Sequence, residues 1–310
     1  MHNREYKILS VDGGGIRGIF PAHILYCISD RLKVSIKEQF DMIAGTSTGS
    51  IIAVAIACEI EPIRILELYR LHGSNIFSKK YSFFKNKVVS AMRSLYDKNY
   101  LRMVLRDTFG DRKLGDINKP LLIPATDIGY GGVHVFKSNY SQDFTRDHHV
   151  LVSDAVLASC SAPTYFDPEK VNEYLLADGG LWANNPSLAA VIDAQKRLGI
   201  DLSDIRILSL GTGHAKTSYG VNTNRKWGLL RGWKGPEFIS FMMSLQAQST
   251  YNYLQLMLGS DQLLRLDFES DLPLPLDDHT AIDDLISRAD RVFTHHSHEI
   301  KKFININNGE

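Results

Sequence analysis

Short apolar runs that end in glycine alternate along this chain with stretches whose apolar residues recur every three or four positions. Tyr6 to Val11 is β-rich and leads into Asp12 and three glycines, the pattern of a buried strand entering a tight turn. Ile19, His23, Ile24, Cys27, Ile28 and Leu32 then recur at helical spacing. Phe40 to Ala44 is a second short apolar run ending in glycine. Ser50 to Cys58 is apolar almost all round, which predicts a helix buried at the centre of the fold. Pro62 opens a third helix through Leu71. Leu121–Thr126 and Val133–Lys137 predict strands paired across the Gly129–Gly132 turn. A short helix over Val152–Ser159, a strand over Tyr174–Ala177, a helix over Ser187–Leu198 and a buried strand over Ile205–Leu210 follow. Two helical stretches, roughly 236–258 and 280–304, close the chain.

This alternation predicts an α/β fold: a three-layer α/β/α sandwich around a mostly parallel central sheet. No internal repeat or Pro/Gly/Ser-rich linker divides the chain, so residues 1–310 read as one domain. Residues of about 73–120 depart from the pattern, mixing Lys, Arg and aromatic residues, and read as a helical insertion. Composition narrows the class. Hydrophobic residues at 44% and charged residues at 23% allow a sizeable core and exclude a disordered chain. The 35 Lys and Arg balance 35 Asp and Glu, which argues against a nucleic-acid binder working by bulk charge. Cys27, Cys58 and Cys160 are widely spaced and form no CxxC pair, so a reducing compartment is expected, with neither a disulfide framework nor a zinc ribbon. The polar Met1–Glu5 is followed by no apolar leader, and the longest apolar run, Ile51 to Cys58, falls far short of the ~20 residues that span a bilayer. A cytoplasmic protein is expected.

Four strand ends carry glycine-rich turns: Asp12–Gly15, Gly45–Gly49, Asp178–Gly180 and Gly211–Gly213. In an open α/β sheet such turns converge at the carboxyl edge, where ligands bind. Gly45-Thr-Ser-Thr-Gly49 has the form GxSxG, which between strand and helix lifts a serine hydroxyl out of the sheet. Ser47 is therefore the candidate nucleophile, at the positive end of the following helix. Gly13 to Gly18 also fits GxGxxG, but no acidic residue ends the next strand and no Lys-Ser/Thr follows Gly18, so neither a dinucleotide fingerprint nor a P-loop is completed. Consecutive glycine amides at Gly13, Gly14 and Gly15, with Arg17 nearby, suit an oxyanion hole better. Asp178 is one candidate base for Ser47; the alternative is a Ser-Asp-His triad with His214. No His-x-x-x-His pair with an intervening Glu is present, so no zincin-type metal site is expected.

Taken together, Asp12-Gly-Gly-Gly-Ile-Arg-Gly18, Gly45-Thr-Ser-Thr-Gly49 and Asp178-Gly179-Gly180 resemble the patatin-like phospholipases, as do Ser159 to Phe166 and Asn184-Asn185-Pro186. The resemblance implies a single patatin-like phospholipase domain and a Ser47–Asp178 dyad that hydrolyses glycerophospholipid esters through an acyl-enzyme. It implies an oxyanion site at Gly13, Gly14, Gly15 and Arg17, motif positions at Gly18, Gly45, Gly49, Gly179 and Gly180, and no required metal or cofactor. It disfavours the His214 triad. The region after Gly213 is similar to a compact bacterial subgroup that acts in antiphage defence, which implies activation by a cyclic di- or trinucleotide; a membrane phospholipid substrate, a peripheral place at the inner membrane face and a homo-oligomer are the accompanying expectations. Basic and aromatic residues mixed over 76–100, among them Phe83, Phe84, Lys85 and Lys87, suit an anionic membrane surface. The competing class is a non-enzymatic nucleotide-binding module built on the Gly13–Gly18 turn.

Overall fold

The computed structural model describes residues 5–78, 94–215 and 236–306. Its centre is a sheet in the order β5-β6-β3-β2-β1-β7-β9, with β4 paired to β3. The strands are β1 (Tyr6–Val11), β2 (Met42–Gly45), β3 (Leu121–Asp127), β4 (Gly132–Lys137), β5 (Glu169–Val171), β6 (Tyr174–Asp178), β7 (Ile205–Leu210) and β9 (Leu263–Leu266). A separate two-stranded ladder joins β8 (His214–Ala215) and β10 (Glu269–Ser270). β3, β2, β1, β7 and β9 run parallel, whereas β4, β5 and β6 enter by antiparallel pairing. β1, β2, β3 and β7 are buried on both faces along most of their length because helices cover both sides of the sheet.

One face carries α1 (Ile19–Leu32), α3 (Thr48–Ala57), α4 (Pro62–Ile76), α5 (Lys98–Phe109), α6 (Val152–Ser159) and α10 (Ile282–His295), packed in one large core with Leu9, Val11 and Ile43. The other face carries α8 (Ser187–Leu198) and the long α9 (Pro236–Met257), where Val191 and Leu254 meet Ile8, Ala44 and Ile207. The short helices α2 (Ile36–Gln39), α7 (Gly180–Ala183) and α11 (Ser297–Phe303) complete the described set. This is the expected α/β/α layering around a mostly parallel sheet.

Of the stretch read as an insertion, residues 79–93 lie outside the described residues, and with them much of the basic and aromatic face. The remainder is not separate from the core. α5 buries Leu101, Val104, Leu105 and Phe109, and Leu101 and Phe109 belong to the main cluster. The final helical stretch is two helices, divided at His296.

Candidate active site

β2 and β6 both pair with β3, one parallel and the other antiparallel, so their carboxyl ends face each other along it. Ala44 lies opposite Leu122 and Asp178 opposite Ala125. Ser47 leaves β2 at φ 52° and ψ −126°, a strained conformation for a residue with a side chain, and α3 starts immediately after it. The flanking glycines are required by space. A Cβ on Gly45 would stand 2.2 Å from the Gly49 carbonyl, and one on Gly49 would stand 2.3 Å from that of Val11. The turn is held from below: Ser47 N–H donates to Ser159 Oγ at 2.9 Å, whose hydroxyl donates to the Pro124 carbonyl at 2.6 Å. Ser50 Oγ donates to the Ser47 carbonyl at 2.6 Å.

The hydroxyl of Ser47 donates directly to Asp178 Oδ2 at 2.6 Å, and the Gly180 N–H donates to Asp178 Oδ1 at 2.7 Å. Both side chains are buried, at 6% and 2% exposure. Burial pushes the Asp178 carboxyl up to about 7, against the hydrogen bonds from Ser47 and Gly180. The carboxylate thus sits where a general base at neutral pH should, already bonded to the hydroxyl it would deprotonate. Ser47 and Asp178 open onto an apolar pocket walled by Ile51, Leu68, Phe77, Phe166, Met243 and Leu276.

The glycine-rich turns meet at this edge. The Thr212 hydroxyl donates to the Gly13 carbonyl at 2.8 Å, and the Thr46 hydroxyl donates to the Ala183 carbonyl at 2.7 Å. Two residues of the expected oxyanion set are engaged elsewhere. Gly13 N–H donates to the Asn184 carbonyl at 3.1 Å, so it has no proton left for an oxyanion. Arg17 is buried and donates to the carbonyls of Gly14, Gly213 and Leu274 at 3.2, 3.1 and 3.3 Å, bracing the turn from behind. The N–H groups of Gly14 and Gly15 donate to no described residue. Gly15 holds φ 58°, with the Leu276 carbonyl beside it accepting from Ile16 N–H at 2.8 Å. That carbonyl closes over the GxGxxG turn, where a dinucleotide cradle would stay open.

His214 does not join Ser47 and Asp178. Its Nδ1 lies 3.8 Å from Asp267 Oδ2, and that partner raises its pKa. The sequence reading missed Arg265 on β9. It grips Asp12 through two bonds of 3.0 and 2.7 Å and reaches Asp267 at 2.7 Å, neutralising a buried carboxylate at the head of the glycine turn. An Arg inside the short apolar run Leu263–Leu266 was the one available signal.

Residues 9–191 match the family model of the patatin-like phospholipases. A cGAMP-activated phospholipase of Pseudomonas aeruginosa is 30% identical over 259 residues, covering 83% of this chain and 76% of that protein. A cGAMP-activated phospholipase of Vibrio cholerae is 31% identical over 229 residues, covering 67% of this chain and 64% of that protein. A cUMP-AMP-activated phospholipase of Escherichia coli is 32% identical over 235 residues, covering 71% and 70%. The family match takes in Ser47 and Asp178 and stops short of His214 and Arg265, and on it the chain belongs to the patatin-like phospholipases.

Proposed function

We propose that the protein hydrolyses glycerophospholipid esters through a Ser47–Asp178 dyad. The observation that carries this reading is the 2.6 Å bond from Ser47 Oγ to a buried carboxylate at the mouth of an apolar pocket. Asp178 takes the Ser47 proton as Oγ attacks the ester carbonyl, and the acyl chain lies along Ile51, Leu68 and Phe77. Negative charge developing on the carbonyl oxygen is met by the Gly14 and Gly15 amides and by the N-terminal end of α3. Asp178 returns its proton to the leaving lysolipid oxygen. It then deprotonates the water that attacks the acyl-serine and passes that proton to Ser47 Oγ as the acyl–oxygen bond breaks and the fatty acid leaves, restoring the dyad. No step calls for a metal.

The substrate lies in a membrane, so the enzyme works at its surface. Among the described residues no helix is long and apolar enough to cross a bilayer. The β3–β4 turn extends beyond the carboxyl end of β3, on the dyad side of the sheet, and exposes Ile128, Tyr130 and Val133 with Leu175 beside them. These residues suit peripheral contact with lipid. Activation by a cyclic di- or trinucleotide is part of the same reading, supported by the names of the relatives; the single domain, the homo-oligomer, the location at the inner membrane face and the role in antiphage defence are further parts of the proposal. The test combines fluorophosphonate labelling with phospholipid hydrolysis, with and without a panel of cyclic nucleotides. Wild-type protein labels at Ser47 and hydrolyses lipid faster with one nucleotide, Ser47→Ala does neither, and His214→Ala retains activity. Loss in His214→Ala equal to that in Ser47→Ala would refute the dyad; hydrolysis indifferent to every nucleotide would remove the activator.

A further inference from the structure

On the face of the sheet away from α9, α1 and α10 pack against each other and bring three metal-ligating side chains together. His23 and Cys27 stand one turn apart on α1, and Asp290 comes from α10. Their donor atoms all lie within 4.8 Å of one another. His23 is 7% exposed, and neither ring nitrogen has a hydrogen-bond partner. Its Nε2 stops 3.3 Å from Asp290 Oδ1, misaligned for a hydrogen bond. A buried imidazole left in this state carries a free-energy cost that a ligand would remove.

The structure assigns this cluster to a divalent cation of the zinc type, and we propose that His23, Cys27 and Asp290 bind one such ion between α1 and α10. The two spacings to the shared Asp290 oxygen fit tetrahedral coordination. Bonds of about 2.3 Å to sulfur and about 2.0 Å to nitrogen and oxygen separate a sulfur and an oxygen ligand by about 3.5 Å, and a nitrogen and an oxygen ligand by about 3.3 Å. The separations here are 3.6 Å from Cys27 Sγ to Asp290 Oδ1 and 3.3 Å from His23 Nε2 to the same oxygen. One thiolate, one imidazole and one carboxylate make a donor set that favours zinc over calcium or magnesium. Asp290 is 41% exposed, which leaves a fourth position open to water. Uptake breaks the Cys27 S–H bond, forms an S–metal bond and releases the proton to solvent, with no electron moved. Arg31 now contacts the same Asp290 oxygen from solvent. When the cation binds, Arg31 shifts to the other carboxylate oxygen and holds the ligand in orientation. The ion ties α10, whose chain leads back to the Leu276 strap, to the helix that follows the glycine turn. It lies outside the acyl pocket and takes no part in the chemistry of Ser47.

Untagged protein stripped by a chelator is titrated with Co²⁺ and followed by absorption. The expected result is one cobalt per chain, with a thiolate-to-cobalt charge-transfer band and the visible bands of a tetrahedral site, displaced by Zn²⁺. Cys58→Ser retains the band. Cys27→Ala loses it, and His23→Asn weakens cobalt binding by more than about 100-fold, beyond what an outer partner costs. Zinc raises the melting temperature of wild type and leaves that of Cys27→Ala unchanged. Should Cys27→Ala fail to fold in chelator, the part-exposed Asp290→Asn carries the same comparison. No charge-transfer band in wild type, or a band that survives in Cys27→Ala, overturns the site and leaves an ordinary polar contact between two helices.

Discussion

Asp178→Asn keeps the shape of the side chain and removes its charge from a place with 2% exposure. Burial raises this carboxyl from an ordinary 3.8 to about 7. At ~1.36 kcal/mol per pKa unit, holding it ionised above neutral pH costs the folded state up to about 4 kcal/mol, worked from that shift. Asn can accept from Gly180 N–H and donate to Ser47 Oγ, so its polar atoms stay paired. The variant should therefore be inactive and more stable. Removing the base should lower kcat/KM at least ~100-fold. The gain is read by urea unfolding at pH 8, where an m-value near 3 kcal/mol/M turns the ceiling into a midpoint shift of roughly 1 M. The gain depends on pH, and proton counts give its sign. Between about pH 4 and 7 folded Asp178 keeps a proton that the unfolded chain has released. Wild-type stability therefore falls as pH rises through this window and levels off above it. The advantage of Asn grows across the same window and vanishes below it. In wild type, kcat/KM should climb through the same pH of about 7 as Asp178 ionises. A destabilised Asp178→Asn at pH 8, or a gain equal at pH 4 and pH 8, refutes the reasoning.

Two other substitutions probe the frame around the dyad. Gly15→Ala places a Cβ 2.2 Å from the Leu276 carbonyl at φ 58°, and should cost at least about 2 kcal/mol and most of the hydrolysis; Gly132→Ala, with open space around it, is the neutral control in the same urea assay. Arg265→Met leaves the 2%-exposed Asp12 without its partner and should cost about 3–5 kcal/mol, while Asp12→Asn in the same chain recovers much of the loss, measured as a double-mutant cycle.

The elements legible in the sequence were those whose periodicity is long or whose ends are marked. β1 and β7 are short β-rich runs that end at glycine-rich turns, α3 is apolar almost all round, and α8 has an apolar stripe with Gly199 at its end. β9 was not legible, because it is only Leu263–Leu266 and no glycine turn marks its end; tertiary pairing with β7 makes it a strand. Ser47 and Asp178 were legible as candidates because GxSxG and Asp-Gly-Gly each carry a local backbone demand, whereas their pairing without His214 was implied by the family resemblance alone. The engagement of Gly13 and Arg17 was not legible, since their partners Asn184, Gly213 and Leu274 come from distant turns. The same holds for Asp290, which lies 263 residues from Cys27 while His23 and Cys27 already share a helix face.

A serine nucleophile needs a base that titrates near the working pH, and proteins reach that value by two routes. A histidine has it intrinsically and needs a carboxylate to orient it. A carboxylate reaches it only when removed from water, and it must then touch the hydroxyl directly, because nothing relays the proton. The sheet supplies both conditions at once. Since β6 runs antiparallel to β3 and β2 runs parallel, the strand bearing Asp178 ends where the strand leading to Ser47 ends, under the cover of α7 and the Leu276 strap. That head-on meeting places the hydroxyl 2.6 Å from a carboxyl that is 2% exposed. In the proposed mechanism, the burial that costs stability is therefore what fits the aspartate to serve as the base. A variant that hydrated Asp178 while leaving the dyad distance intact would lose activity at pH 7 by lowering its basicity, although no catalytic atom had moved.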